Sequence, residues 1–289
     1  MKVTVSKINF IKPFEKINIR VVIDYRRLSI FEQIMKEVLI AKLKKFHGIS
    51  LEELARAPLM NRTDEKFAFH RNELPEILDL IAPYYDVLTI DGKYIFDYSS
   101  QYFDNERFQF FNDHHRSIPK RFKVRIRTYI DSNASFLEVK EKMKGRTDKK
   151  RITTNGFKNE FDAHEMEFLE KRLGGKMKLK PVMINSYRRI TLVNKTSEER
   201  LTIDFDVTNG SLDDPTNSNQ TLNEIIIAEL KQPKLDRTSP FYQLMKNRLI
   251  RPFRISKFCF GMMDIYTQFE LKSNRFKSKR IFIKKINNR

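Results

Sequence analysis

From residue 62 to residue 231 apolar and polar positions repeatedly alternate with a period of two, which is the pattern of strands with one buried face. The alternation predicts strands over 62–70, 94–103, 121–131, 135–144, 182–193, 200–207 and 225–231. Helical spacing of apolar residues interrupts them at 73–82, 162–173 and 241–249. Strands predominate but helices recur, so the fold class predicted is α+β: an antiparallel β-barrel of about eight strands with helices packed outside. Before this region the sequence predicts a short strand at 17–25 and an amphipathic helix at 28–46, with Ile30, Ile34, Val38 and Ala41 on one face. A second short helix at 50–57 follows, with Ser50 and Glu53 spaced as a capping box. The domain boundaries predicted are an accessory segment at 1–57, a barrel domain at 58–261 and a basic segment at 262–289.

The charged positions of the strands sharpen this picture. Lys123, Arg125 and Arg127 share one face of their strand and Val124 and Ile126 the other. Glu138, Lys140 and Lys142 repeat the arrangement, as do Glu229 with Lys231, and Arg200, Thr202, Asp204 and Asp206. Any one strand of this kind is explained by an ordinary solvated face. Recurrent cations are not, because like charges on adjacent strands destabilise a sheet. If these faces converge on an interior, a bound polyanion relieves the repulsion. A narrow barrel admits a linear phosphate chain but not duplex nucleic acid.

Composition agrees. Lys and Arg total 56 against 37 Asp and Glu, a formal charge of +19, which points to a polyanionic partner without choosing among nucleic acid, membrane surface and phosphorylated ligands. The 289 residues, 40% hydrophobic, suffice for one large core or two modest ones. The single Cys259 allows no intramolecular disulfide and reads as a packed thiol. No apolar run approaches a membrane span and the first ten residues do not read as a signal peptide. The expectation is therefore a cytoplasmic protein, with placement at the cytoplasmic face of a membrane through a membrane-protein partner as the alternative. Residues 271–289 hold eight Lys or Arg and no acid, interleaved with Phe276, Ile281, Phe282 and Ile283. That suits RNA or anionic lipid, and equally a solvated end. His114 and His115 beside Asp113 lack further ligands at metal spacing and read as a polar loop. Asp213-Asp214-Pro215 reads as a loop between strands, and Met262-Met263 as packing.

Nine motifs, in order, resemble the VTC domain, the catalytic module of polyphosphate polymerases, which has the triphosphate tunnel metalloenzyme fold. They are Arg62-Thr-Asp-Glu-Lys66-Phe67, Tyr102-Phe-Asp-Asn105, Lys123-Val-Arg125-Ile-Arg127, Phe136-Leu-Glu138-Val-Lys140-Glu-Lys142, Gly145-Arg-Thr-Asp-Lys-Lys150-Arg151, Tyr187-Arg-Arg189, Arg200-Leu-Thr-Ile-Asp204, Glu229-Leu-Lys231 and Ser256-Lys257-Phe258. The chain departs from the family pattern at Asp64 and Phe67. The resemblance implies that Arg125, Arg127, Lys140 and Lys257 are catalytic, that Lys66, Lys142, Lys150, Arg189 and Arg200 hold substrate phosphates, and that Glu229, helped by Glu138, binds a divalent metal, Mn²⁺ or Mg²⁺. It further implies ATP or another nucleoside triphosphate and polyphosphate as partners, with no specific nucleic acid. The reaction implied is transfer of the γ-phosphate to a growing polyphosphate chain. The alternatives are a tripolyphosphate or nucleoside triphosphate hydrolase of the same fold, and a non-catalytic module that binds RNA or anionic lipid.

Overall fold

The computed structural model describes residues 33–55, 62–143, 146–212, 218–266 and 271–288. The strand expected at 17–25 and the Asp213-Asp214-Pro215 loop lie outside them. By internal contacts the chain divides into residues 1–41 and 42–289. The described part of the first unit belongs to a helix over 33–43 (α1), on which Ile34 and Val38 are exposed and do not form the buried face expected of them.

In the second unit the strands are β1 (Gly48–Ile49), β2 (Thr63–His70), β3 (Tyr85–Leu88), β4 (Phe96–Asp104), β5 (Lys120–Tyr129), β6 (Ala134–Met143), β7 (Arg146–Thr154), β8 (Lys180–Asn194), β9 (Arg200–Gly210), β10 (Ser218–Leu222) and β11 (Ile225–Gln232). The helices are α2 (Leu51–Ala55), α3 (Leu74–Ile81), α4 (Gln109–Arg116), α5 (Ala163–Leu173), α6 (Pro240–Asn247), α7 (Lys257–Ile265) and α8 (Lys277–Asn287). Eight strands form one antiparallel path in the order β2-β11-β9-β8-β4-β5-β6-β7. The capping box at α2 forms as its spacing predicted: Ser50 N donates to Glu53 Oε2 at 2.8 Å and Glu53 N to Ser50 Oγ at 3.2 Å.

The path curls into a half-barrel. In a flat sheet β11 and β6, five steps apart, would be separated by about 24 Å at ~4.8 Å per strand. Instead Lys140 of β6 lies within electrostatic reach of both Glu229 of β11 and Lys66 of β2. One face of each strand therefore looks into the hollow, and the other carries the apolar residues. Val124, Ile126, Leu137 and Val139 are fully buried there in one cluster with Phe110 and Phe111 of α4 and Leu169 of α5. Phe67, where the resemblance favours Tyr, is buried edge-on to Phe241 and Tyr242 of α6, a setting with no need of a hydroxyl.

Two elements differ from the sequence reading. The His114–His115 region is helix α4, not a loop: its C-terminal turn is closed by Ser117 in the left-handed conformation. The basic C-terminal segment is largely ordered as α8, because Ile283 and Ile286 bury one stripe while the lysines stay outside.

Helix α7 brings Lys257 into the hollow and depends on a close approach. A Cβ on Gly261 would stand 2.2 Å from Met183 Cε and 2.7 Å from Asn209 Oδ1, both on fully buried residues. Gly261→Ala is therefore expected to cost about 1–3 kcal/mol by overpacking. A urea unfolding midpoint equal to that of the parent would show that α7 has room the packing does not suggest.

Candidate functional site: a cation-lined half-barrel

The strand register decides which side chains share the hollow. Across β5 and β6, Lys123 stands opposite Lys140, Arg125 opposite Glu138 and Arg127 opposite Phe136. Across β6 and β7, Lys140 faces Lys149 and Glu138 faces Arg151. Lysines thus occupy three neighbouring strands in one row, an arrangement that repels itself. On the far wall, Lys66 stands opposite Glu229, Glu229 opposite Thr202, and Arg189 opposite Asp204.

Three carboxylates hold part of this charge. Glu229 pairs with Lys66 at 2.6 Å and with Lys231. Asp204 takes a two-point contact from Arg189, at 2.6 and 2.8 Å, and pairs with Lys257 from the first turn of α7. Glu138, almost wholly buried, accepts from Arg125 Nε at 2.9 Å and Nη2 at 2.7 Å, and pairs with Lys149 at 3.0 Å. Burial alone would raise each acid. The surrounding cations win and hold all three well below the ordinary carboxylate range: Arg125, Arg127 and Lys149 at Glu138, Arg189 and Lys257 at Asp204, Lys231, Lys66 and Lys140 at Glu229.

A second set of cations has no carboxylate. Lys123 donates to Ser256 Oγ, the N-cap of α7, at 2.8 Å, and lies over the Phe258 ring. Among the described residues Lys140, Lys142 and Arg127 form neither hydrogen bond nor ion pair. Burial, helped by Lys66 and Lys123 and opposed by Glu229, pulls the Lys140 ammonium down to about 7. The two walls therefore differ. The β2–β11–β9–β8 wall carries cations balanced by acids, and the β5–β6 wall carries, beside the Arg125–Glu138 pair, cations that are not.

The site residues named from the sequence are gathered with two qualifications. Lys66, Arg125, Arg127, Glu138, Lys140, Lys142, Arg189, Glu229 and Lys257 meet on the inner face or at its end. Lys150 stands opposite Val139, on the outer face of β7, and is exposed; Lys149 and Arg151 occupy the inward positions instead. Arg200 shares the parity of Asp204, but its Nη2 donates to Leu54 O at 2.7 Å at the end of β9. Asp206 does not continue the Asp204 face: a bulge between β8 and β9 and its positive φ of 50° turn it to Arg188. Sequence reasoning passed over Asp204, Lys231, Lys123 and Tyr102 as site residues, although each stood inside a quoted motif. Tyr102 Oη accepts from Arg125 Nη1 at 3.0 Å and its ring packs 5.2 Å from Phe258.

Among the described residues no three acids, histidines or cysteines gather as a metal cage. The arrangement fits instead the habit of Mg²⁺ and Mn²⁺ in phosphate sites, where one or two protein carboxylates and the substrate's own oxygens share the ion. Glu229 is placed for that on the acid-balanced wall. Cys259 is buried and free, and no helix among the described residues is long and apolar enough to cross a membrane.

A sequence model of the VTC domain matches residues 61–266. The chain belongs to the VTC domain family, whose members have the triphosphate tunnel fold. Solved structures similar to it include a proposed adenylate cyclase from Vibrio parahaemolyticus, 12% identical with a TM-score of 0.44, covering 70% of this chain and 99% of that one. Another proposed adenylate cyclase, from Bacillus halodurans, is 13% identical with a TM-score of 0.41, over 75% and 100% of the two chains. A conserved hypothetical protein from Pyrococcus furiosus is 12% identical with a TM-score of 0.36, over 68% and 99%. No curated protein matches the chain significantly.

One end of the hollow is stoppered by α4 and α7, where His114 packs edge-on to Phe258 at 6.1 Å. Burial, with Lys123 nearby, drives the His114 imidazole down to about 2, so the folded protein keeps it neutral. A depressed His contributes stability that is full above its unfolded value of about 6.5 and is lost as pH falls below it, by up to ~1.4 kcal/mol per pH unit. Unfolding free energies measured from pH 7.5 to 5 should fall in the parent and fall less steeply in His114→Phe. Part of the slope should survive, because burial lowers His115 as well. Identical slopes in the two proteins would refute the assignment to His114.

Proposed function

We propose that this chain is a polyphosphate polymerase, transferring the γ-phosphate of ATP or a related nucleoside triphosphate to the end of a growing phosphate chain. The observation that carries the proposal is the set of uncompensated cations on the β5–β6 wall, Lys123, Arg127, Lys140 and Lys142, facing a wall whose cations are already balanced. A triphosphate laid along the first wall replaces like-charge repulsion with attraction, in surroundings that screen less than water. Arginine offers paired N–H donors to phosphate oxygens and lysine a compact charge, so the mixture suits linked phosphates.

A divalent ion, when bound with Glu229, supplies further charge neutralisation on the phosphate oxygens. The chain's own residues hold the donor in line with the acceptor and stabilise charge on the transferred group. An oxygen of the acceptor's terminal phosphate forms the new bond to the γ-phosphorus. The bond to the β–γ bridging oxygen breaks, and the nucleoside diphosphate leaves with that electron pair. The acceptor is already anionic near neutral pH and needs no proton removed, whereas water does. Glu138, Asp204 and Glu229, held far below their ordinary range, are poor bases for that task. Transfer is favoured over hydrolysis on this ground.

Incubation with ATP and Mn²⁺, with products resolved by size, is expected to yield phosphate chains. Release of inorganic phosphate alone under every divalent ion tried would assign hydrolysis instead. Glu229→Ala is expected to lower turnover by at least about a hundredfold, a loss on the scale reported for removing one transition-state-stabilising group. Its melting temperature should fall, because Lys66 and Lys231 lose the acid they share, so turnover is compared at a temperature where circular dichroism shows both proteins folded.

A further inference from the structure

Arg127 is a buried arginine of the hollow that, among the described residues, has no acid partner. Arg125 is committed to Glu138 and Tyr102, and Arg189 to Asp204. Arg127 is only 8% exposed and its Nε is enclosed without a partner. What it has is rings. Its guanidinium carbon lies 5.7 Å from the centroid of Tyr98 and 5.9 Å from that of Tyr187. These two rings stack on each other, 5.3 Å apart and 7° from parallel, and Tyr129 props Tyr98 at 5.0 Å. Arg189 lies over the same pair, at 5.1 and 5.4 Å.

We infer that the Tyr98–Tyr187 stack is the positioning element that holds Arg127 in the hollow while leaving its charge for phosphate. The reason is chemical. A carboxylate would orient the guanidinium and cancel it, and an incoming phosphate would then have to displace an acid. A ring face attracts a cation through its quadrupole, carries no net charge, and uses none of the five N–H donors. Held this way, Arg127 keeps both charge and donors for a ligand. The Tyr187 hydroxyl supports the reading: it is buried with no hydrogen-bond partner, so the residue's contribution to Arg127 is its ring. Tyr98 and Tyr187 are thus positioning residues, acting on substrate through Arg127.

The inference rests on the proposal that the hollow binds linked phosphates, and its test separates the two. Tripolyphosphate binding is measured by calorimetry on the full chain for the parent, Arg127→Gln, Tyr98→Leu and the double variant Tyr98→Leu with Arg127→Gln. Tyr98→Leu should weaken binding about tenfold, in keeping with a desolvated cation–π contact. In the Arg127→Gln background the same leucine should cost little, because Arg189, the other cation over these rings, is held in place by Asp204. A purely structural role would give equal losses in both backgrounds, and that result overturns the inference. Should the leucine variant not fold, Tyr98→Phe and fluorinated phenylalanines at position 98 preserve shape while draining the ring quadrupole. Affinity falling stepwise with fluorination is expected, and affinity indifferent to it overturns the inference. If the parent itself fails to bind tripolyphosphate, the functional proposal falls and this inference with it. If Arg127→Gln weakens binding but Tyr98→Leu does not, only the inference falls.

Discussion

The repulsion among Lys123, Lys140, Lys149 and Lys66 is the constraint around which this molecule is arranged. Curling the sheet brings these ammonium groups within each other's field, and nothing in the backbone geometry repays that. Three partly or wholly buried acids, Glu138, Asp204 and Glu229, make the curl tolerable by each binding two cations. Their number falls short of the cations they face. The surplus, concentrated on β5 and β6, is what a fold selected for stability alone would remove, since an unpaired buried charge costs more than almost any other defect. The apolar outer faces of those strands, sealed by α4 and α5, supply the burial that offsets it.

How the acids are distributed matters as much as how many there are. An acid beside a cation serves folding at the expense of anion binding, so the balanced wall is stable and the unbalanced wall is receptive. Glu229 stands on the balanced wall, between Lys66 and Lys231. Asp204 ties Lys257 to Arg189 and so fixes the start of α7 against β9 and β8. The same contact explains the glycine in α7: Gly261 lets the helix approach Met183 closely enough for Lys257 to reach its acid.

Much of this was legible in the chain. Seven of the eight strands on the main path follow from alternation, because their outer faces are sealed and their inner faces polar. β7 did not, since seven of its nine residues are exposed and no apolar parity marks it. That omission also explains why Lys150 was chosen over Lys149 and Arg151: parity in an all-polar edge strand is set by its pairing with β6, which composition does not reveal. Helix α4 was hidden because its sequence, Gln109 to Arg116, has two adjacent phenylalanines and otherwise polar residues, with its start fixed from outside by Asp104, whose carboxylate accepts from Phe110 N and Phe111 N. Asp206 was misread for a related reason: period-two counting assumes a regular strand, and one bulge reverses every parity beyond it.

Convergence itself was the step that alternation could not supply. Each strand taken alone is consistent with a solvated polar face, and only the order of motifs along the chain argued that the faces meet. Coordinates add the distinction between paired and unpaired cations, which no motif encodes: Arg125 and Arg127 sit two residues apart in one Lys-x-Arg-x-Arg run, yet one is bound to Glu138 and the other rests on tyrosine rings. The difference arises across strands, from Glu138 opposite Arg125 and Phe136 opposite Arg127. Residues of identical type in the same motif are thereby given different work, one bracing the wall and the other left open to whatever anion the hollow admits.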